Sequence, residues 1–150
     1  MKRESEYMAI EYRLIVATRN PVEDLANRAF PDPDEHMSGT PPLLLTDLNE
    51  KYGFGVTAYA GRDGYLEAEA DNGMWEWKPS AFVRFTFHMN KKASLGPSLR
   101  AMVGVVERVL DSGAEDVSLD LNGNWLLLTR IDGVVTKHKQ ADWWDVHGLS

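Results

Sequence analysis

Along Ala81–Met89 (AFVRFTFHM) large apolar and polar side chains alternate, with Val83, Phe85, Phe87 and Met89 on one side and Arg84, Thr86 and His88 on the other. A period of two this regular predicts a strand of an antiparallel sheet with one buried and one wet face. Residues 9–18 (AIEYRLIVAT) alternate more roughly, but their aromatic and β-branched content also reads as a strand. In NPVEDLANRAF the period changes. Val22, Leu25, Ala26 and Ala29 form a helical stripe, with Asn20 placed to cap it, Pro21 in its first turn and Glu23 at the capping-box position.

Residues 31–42 (PDPDEHMSGTPP) are punctuated by proline and glycine and predict a loop. Residues 43–52 read as a short strand followed by a turn or a brief helical piece. Residues 54–60 are a strand, GRDG is a turn, and residues 65–70 are expected to return antiparallel to it. The second helix is longer, in GPSLRAMVGVVERVLDSG. Leu99, Met102, Val103, Val106 and Leu110 make its stripe, with Pro97 in its first turn and Gly113 placed to end it. Asn122-Gly123 and Asp132-Gly133 then separate three apolar runs, and both dipeptides suit two-residue hairpins because both positions take positive φ. Trp143 and Trp144 are expected to cover an open end of the core or the sheet edge.

This order predicts an α+β fold: one antiparallel sheet of about six strands, a mixed edge being allowed, with two helices packed on one face. A single domain over residues 8–150 is expected, preceded by a disordered leader at residues 1–7.

Composition narrows the function classes. The 150 residues contain no cysteine, which excludes a disulfide framework, a thiolate metal site and a cysteine nucleophile. No apolar run approaches the roughly 20 residues of a membrane helix, and the N-terminal residues lack a signal-peptide pattern, so a soluble, cytoplasmic protein is expected. The formal net charge of -7 argues against a nucleic-acid partner and favours either solubility or a basic protein partner.

Candidate chemistry is sparse. There is no G-x-S-x-G elbow and no H-E-x-x-H spacing. Asp32, Asp34, Glu35 and His36 resemble metal ligands in type, but no regular spacing fixes them around an ion, so no metal, cofactor or catalytic residue is assigned. Glu67 and Glu69 point the same way on one strand, where solvent exposure explains them. Arg84 and His88 share a strand face, with Trp75 and Trp77 just upstream. Tryptophan and arginine are the residue types that anchor protein interfaces. The alternative is that the tryptophans line the core and Arg84 pairs with Glu67 or Glu69.

Taken in order, AIEYRLIVAT, YGFGV, FVRFTFHMNK, SLRAMVGVVERVL, VSLDLNGNWLLLTR, the DGVV turn and ADWWD resemble the swarm-inhibition-type immunity proteins of bacterial polymorphic toxin systems. The likeness runs from Met8 to Asp145 and is strongest between Phe82 and Trp144. It implies a cytoplasmic antidote that binds a cognate toxin C-terminal domain and acts by occlusion, without catalysis or cofactor. An acidic antidote suits a basic nuclease domain, because complementary charge speeds association. The expected contacts are Asp32, Asp34, Glu35, Glu67, Glu69, Asp71, Trp75, Trp77, Arg84 and His88; monomer and homodimer are both open. Two rival readings stand beside it: a small enzyme using His88 with nearby carboxylates, and a module that self-associates through an edge at Ala81–Met89 or at residues 134–139.

Overall fold

The computed structural model describes residues 10–139 and 142–149, so the leader expected at residues 1–7 lies outside the described residues. The elements run β1 (Ile10–Ala17), α1 (Val22–Ala29), β2 (Ser38–Thr40), β3 (Leu43–Leu48), α2 (Asn49–Tyr52), β4 (Phe54–Arg62), β5 (Leu66–Ala70) and β6 (Gly73–Trp77). They continue with β7 (Ala81–Met89), α3 (Leu95–Asp111), β8 (Val117–Leu121), β9 (Trp125–Ile131), β10 (Val134–Lys137) and α4 (Trp143–Val146). The class is α+β, but the sheet has ten strands where about six were expected.

The sheet is ordered β2-β3-β4-β7-β1-β8-β9-β5-β6, with β10 also on β9. Its pairs are antiparallel except for a parallel bridge between Glu69 of β5 and Trp125 of β9. The outer edge of β9 is therefore shared, β5 meeting its first residue and β10 the stretch from Leu128 to Ile131. Both dipeptide hairpins form as expected. Asn122 and Gly123 have φ of 53° and 73°, and Asp132 and Gly133 have 52° and 82°.

The main correction concerns residues 65–70. They do not return along β4; they continue it. Phe54 faces Met89, Arg62 faces Ala81, Leu66 faces Trp77 and Ala70 faces Gly73, so one register runs through both strand pairs. Asp63 N–H donates to the Ser80 carbonyl (2.9 Å) and Gly64 N–H to the Pro79 carbonyl (2.8 Å), bridging the two halves. At this point Asp63 takes a left-handed φ of 53° and Pro79 has no N–H to give, so the ribbon bends. Beyond the bend, β5 and β6 form a strap that leaves the sheet at β4 and β7 and reaches it again at β9. It passes over β1 and β8.

The helices cover the other face. Leu14, Val16, Val56, Ala58, Val83, Phe85, Phe87 and Leu119 are buried there together with the stripes of α1 and α3. The stripe of α1 is the predicted one. That of α3 is rotated: Val105 and Val109 are buried, and Val103 and Leu110 are only partly so. The first helix has no side-chain cap, and Asn20 donates its own N–H to Thr18 Oγ1 instead (3.0 Å). Of the two short helices, α2 is the brief helical piece allowed for within residues 43–52, and α4 adds to the expected pair. The tryptophans of α4 enter the core: Trp143 Nε1 donates to the Tyr12 hydroxyl (3.1 Å) and Trp144 Nε1 to the Leu127 carbonyl (2.9 Å). Buried indoles need such partners.

Candidate functional site

The face of the sheet turned away from the helices can be written strand by strand from the register. Leu43 and Leu45 of β3 stand beside Tyr59 and Thr57 of β4, and these beside Arg84 and Thr86 of β7. Next come Ile15 and Arg13 of β1, then Ser118 and Asp120 of β8. One row further, His88 adjoins Gly55 and Glu11. The strap covers only part of this face. Its inward residue Leu66 packs with Ile15 and Phe82 in a second small core, and Trp75 and Trp77 lie partly buried against it.

The uncovered part is unusual for its apolar content. Leu43, Leu45 and Tyr59 are 46%, 52% and 37% exposed, while their neighbours Leu44, Leu48, Val56 and Ala58 are buried against the helices. The Arg84 guanidinium lies 5.3 Å from the Tyr59 ring centroid and has no carboxylate partner among the described residues. Stacking on an aromatic face orients a guanidinium without neutralising it. The expected alternative of pairing with Glu67 or Glu69 is not the arrangement found. His88 is engaged on both sides, its Nδ1 3.0 Å from Glu11 Oε2 and its Nε2 3.3 Å from Thr57 Oγ1.

Beside the strap the face turns polar and buried. Asp120 is fully buried. It accepts from Arg13 Nε (3.1 Å) and Gly123 N–H (2.7 Å), while its Oδ2 and the neighbouring Ser118 Oγ have no partner. Burial pushes the Asp120 carboxyl above its ordinary range, against the pull of Arg13 and Arg84. Retaining a carboxylate where burial disfavours its charge is a feature of functional sites.

The acidic candidates are dispersed. Glu67 and Glu69 are on the outer side of the strap. Glu67 faces Glu76 across the β5–β6 ladder, and the Tyr65 hydroxyl donates toward both carboxylates (3.1 and 2.9 Å), which pushes its pKa up to about 12. Asp71 sits at the strap tip, where its Oδ1 accepts the Lys139 N–H (2.7 Å). In the loop before β2, Asp32 and Asp34 are exposed, but Glu35 is buried. Its carboxylate meets Lys51 Nζ at 2.6 Å and the Tyr52 hydroxyl. Burial alone would raise the Glu35 carboxyl; those two partners outweigh it and hold it low.

Arg84 and His88 are thus brought to one face with the strap tryptophans beside it, and the acids are elsewhere. Leu43, Leu45, Tyr59 and Arg13 were not singled out from the sequence, and nothing in it paired Asp120 with Arg13. The run Leu43-Leu44-Leu45 carried a signal, since a strand buries alternate residues and three consecutive leucines leave two outside. Arg13 and Asp120 carried none, because their pairing depends on β1 and β8 being neighbours.

No helix among the described residues is long and apolar enough to cross a membrane, and no group of three or more acidic or histidine residues among them could hold a metal ion. The molecule has the form of an α+β protein with one helix-covered sheet face and one half-open face of aromatic, leucine and arginine side chains. It belongs to the SitI3-like family, whose model matches residues 10–148; SitI proteins are swarm-inhibition, immunity-type proteins of toxin systems. No curated protein and no solved structure matches the chain.

Proposed function

We propose that this chain is an immunity protein that binds a cognate toxin C-terminal domain and neutralises it by occlusion, docking it on the half-open sheet face. The observation that carries this reading is the exposed group Leu43, Leu45 and Tyr59 with Arg84 stacked on the tyrosine. These strands bury their other large apolar residues, so two exposed leucines and a tyrosine side by side form a contiguous patch of the kind that marks an interaction surface. Tyrosine and arginine are also the types that dominate binding energy. Trp75 and Trp77 would flank the docked partner, and Asp32, Asp34, Glu67, Glu69 and Asp71 would act at longer range, steering a basic domain such as a nuclease.

The test is co-expression with the toxin domain encoded beside this chain. Rescue of growth and co-purification are expected, and Leu45→Asp should abolish both while leaving the protein folded. A neighbouring product that is harmless alone, or that does not co-purify, removes the reading.

A second reading, self-association, is favoured by one observation: Val134 and Val135 of β10 are 65% and 51% exposed on an outer strand. Ala81–Met89 cannot serve as an edge, because β7 is paired on both sides by β4 and β1. Sedimentation of the wild type and of Val135→Lys separates the two: a dimer lost in the variant supports self-association, and a monomer in both removes it.

A further inference from the structure

Resting on that reading, we infer the chemistry of the contact: the toxin delivers an acidic side chain into the cleft between strap and sheet, where its carboxylate is held between Arg13 and Arg84.

The cleft is lined by Arg13, Ile15, Tyr65, Leu66, Phe82 and Arg84. Arg13 faces Thr86 and Ile15 faces Arg84 across the β1–β7 ladder, which makes the two arginines diagonal neighbours on one face. Diagonal positions are about 7–8 Å apart at Cα. Arg84 leans to Tyr59 of β4 and Arg13 to Asp120 of β8 and the Gly123 turn, so a carboxylate entering the cleft would draw the two heads inward from either side. Each guanidinium is oriented but not used up. Arg13 is fixed through Nε alone, to Asp120 Oδ1, and its terminal nitrogens have no hydrogen-bond partner among the described residues. Arg84 is fixed by Tyr59 and makes no close ion pair among the described residues, Asp120 attracting it only at longer range. Of the remaining walls Ile15, Leu66 and Phe82 are apolar, which strengthens any ion pair formed beside them, while Tyr65 has its hydroxyl on Glu67 and Glu76.

The local charge runs against that of the whole chain. The protein carries a formal net charge of -7, but this cleft sets two cations against one buried anion, Asp120. Of the other carboxylates on this face, Glu11 is engaged by His88 and Asp47 by the backbone and side chain of Asn49. At long range the net charge repels an acidic group, and the two arginines favour one only at close approach. The cleft therefore acts as a selective point of register within a complex whose long-range attraction has the opposite sense. Local charge complementarity of this kind sets specificity and dissociation more than encounter.

The experiment measures the dissociation constant for the toxin domain encoded beside this chain, by titration calorimetry, with the wild type, Arg84→Gln, Arg84→Glu and the double variant Glu67→Gln/Glu69→Gln. Thermal denaturation of each free variant confirms folding. Arg84→Gln is expected to weaken binding by about 30-fold and Arg84→Glu by more, as for a desolvated ion pair losing one partner, and the double variant much less. Charge reversal of a single toxin carboxylate should restore the Arg84→Glu complex. If Arg84→Glu binds as the wild type does, or no toxin carboxylate rescues it, the inference is overturned and the docking reading stands. If the wild type binds no toxin at all, both fall.

Discussion

Phe85 illustrates how much of this molecule rests on single side chains. It is fully buried at the centre of β7, between β4 and β1 and beneath the helices. Phe85→Ala should lower unfolding free energy by about 3–5 kcal/mol in denaturant titration, the usual cost of an aromatic-sized cavity. Arg28 is the polar counterpart. It joins α1 to the end of α3, donating to both oxygens of Glu115 (2.6 and 2.9 Å), to the Val109 carbonyl and to Ser112 Oγ. The Arg28 guanidinium holds the Glu115 carboxyl below its ordinary 4.5. A lowered folded-state pKa means the unfolded chain binds the proton more readily, so this stabilisation is present above about pH 4.5 and is lost as pH falls toward the folded value. Arg28→Ala should cost about 1–3 kcal/mol at neutral pH and flatten stability against pH on the acid side. Both residues lay in readable stripes or helices, but the partner of Arg28 stands far along the chain and no local pattern points to it.

At the scale of elements, the strap is the part whose integrity can be tested separately. Its tip is tied down by Asp71, which accepts the Lys139 N–H and has its other oxygen 3.7 Å from His138 Nδ1. That nitrogen is buried with no hydrogen-bond partner, while Nε2 lies 3.2 Å from Thr129 Oγ1. Burial pushes the His138 imidazole below its ordinary 6.5, against the opposing pull of Asp71. The unfolded chain therefore binds this proton first. Stability is complete above about pH 6.5 and declines as pH falls below it toward the folded value. His138→Gln should remove that part of the pH dependence, measured by thermal denaturation between pH 5 and 8, and amide exchange should place the weakened protection in β5 and β6. The turn at Asn122-Gly123 gives a separate check. Gly123 has φ of 73°, and an added Cβ would come 3.0 Å from Arg13 Nη2. Gly123→Ala should cost about 1–2 kcal/mol from the left-handed backbone alone. That turn was legible because its dipeptide dictates the geometry. The strap was not, because alternation marks a strand without naming its partner, and GRDG looks the same whether a chain reverses or bends.

For the whole molecule, the dispersed acids and the arginine cleft make different kinetic predictions. Long-range steering by a net acidic protein should make the association rate with a basic toxin domain fall steeply as salt rises from 50 to 500 mM, since charges beyond roughly 10 Å are screened at about 0.1 M. Dissociation should change little with salt and respond mainly to Arg84. Stopped-flow measurement at several ionic strengths checks both; an association rate indifferent to salt would count against the steering role of Asp32, Asp34, Glu67, Glu69 and Asp71. The amino-acid sequence by itself determined the α+β class, the two main helices, both dipeptide hairpins and the two faces of β7, because each follows from local period, turn stereochemistry or side-chain alternation. Only the tertiary structure decided that β4 continues into β5, that ten strands share one sheet, and that Glu35 is spent on Lys51 and Tyr52. It also decided that Leu43, Leu45, Tyr59, Arg13 and Arg84 meet on one half-covered face. The reason is the same in each case: strand pairing joins residues far apart in the chain, and a strand's own pattern says which side is buried but not what it lies beside.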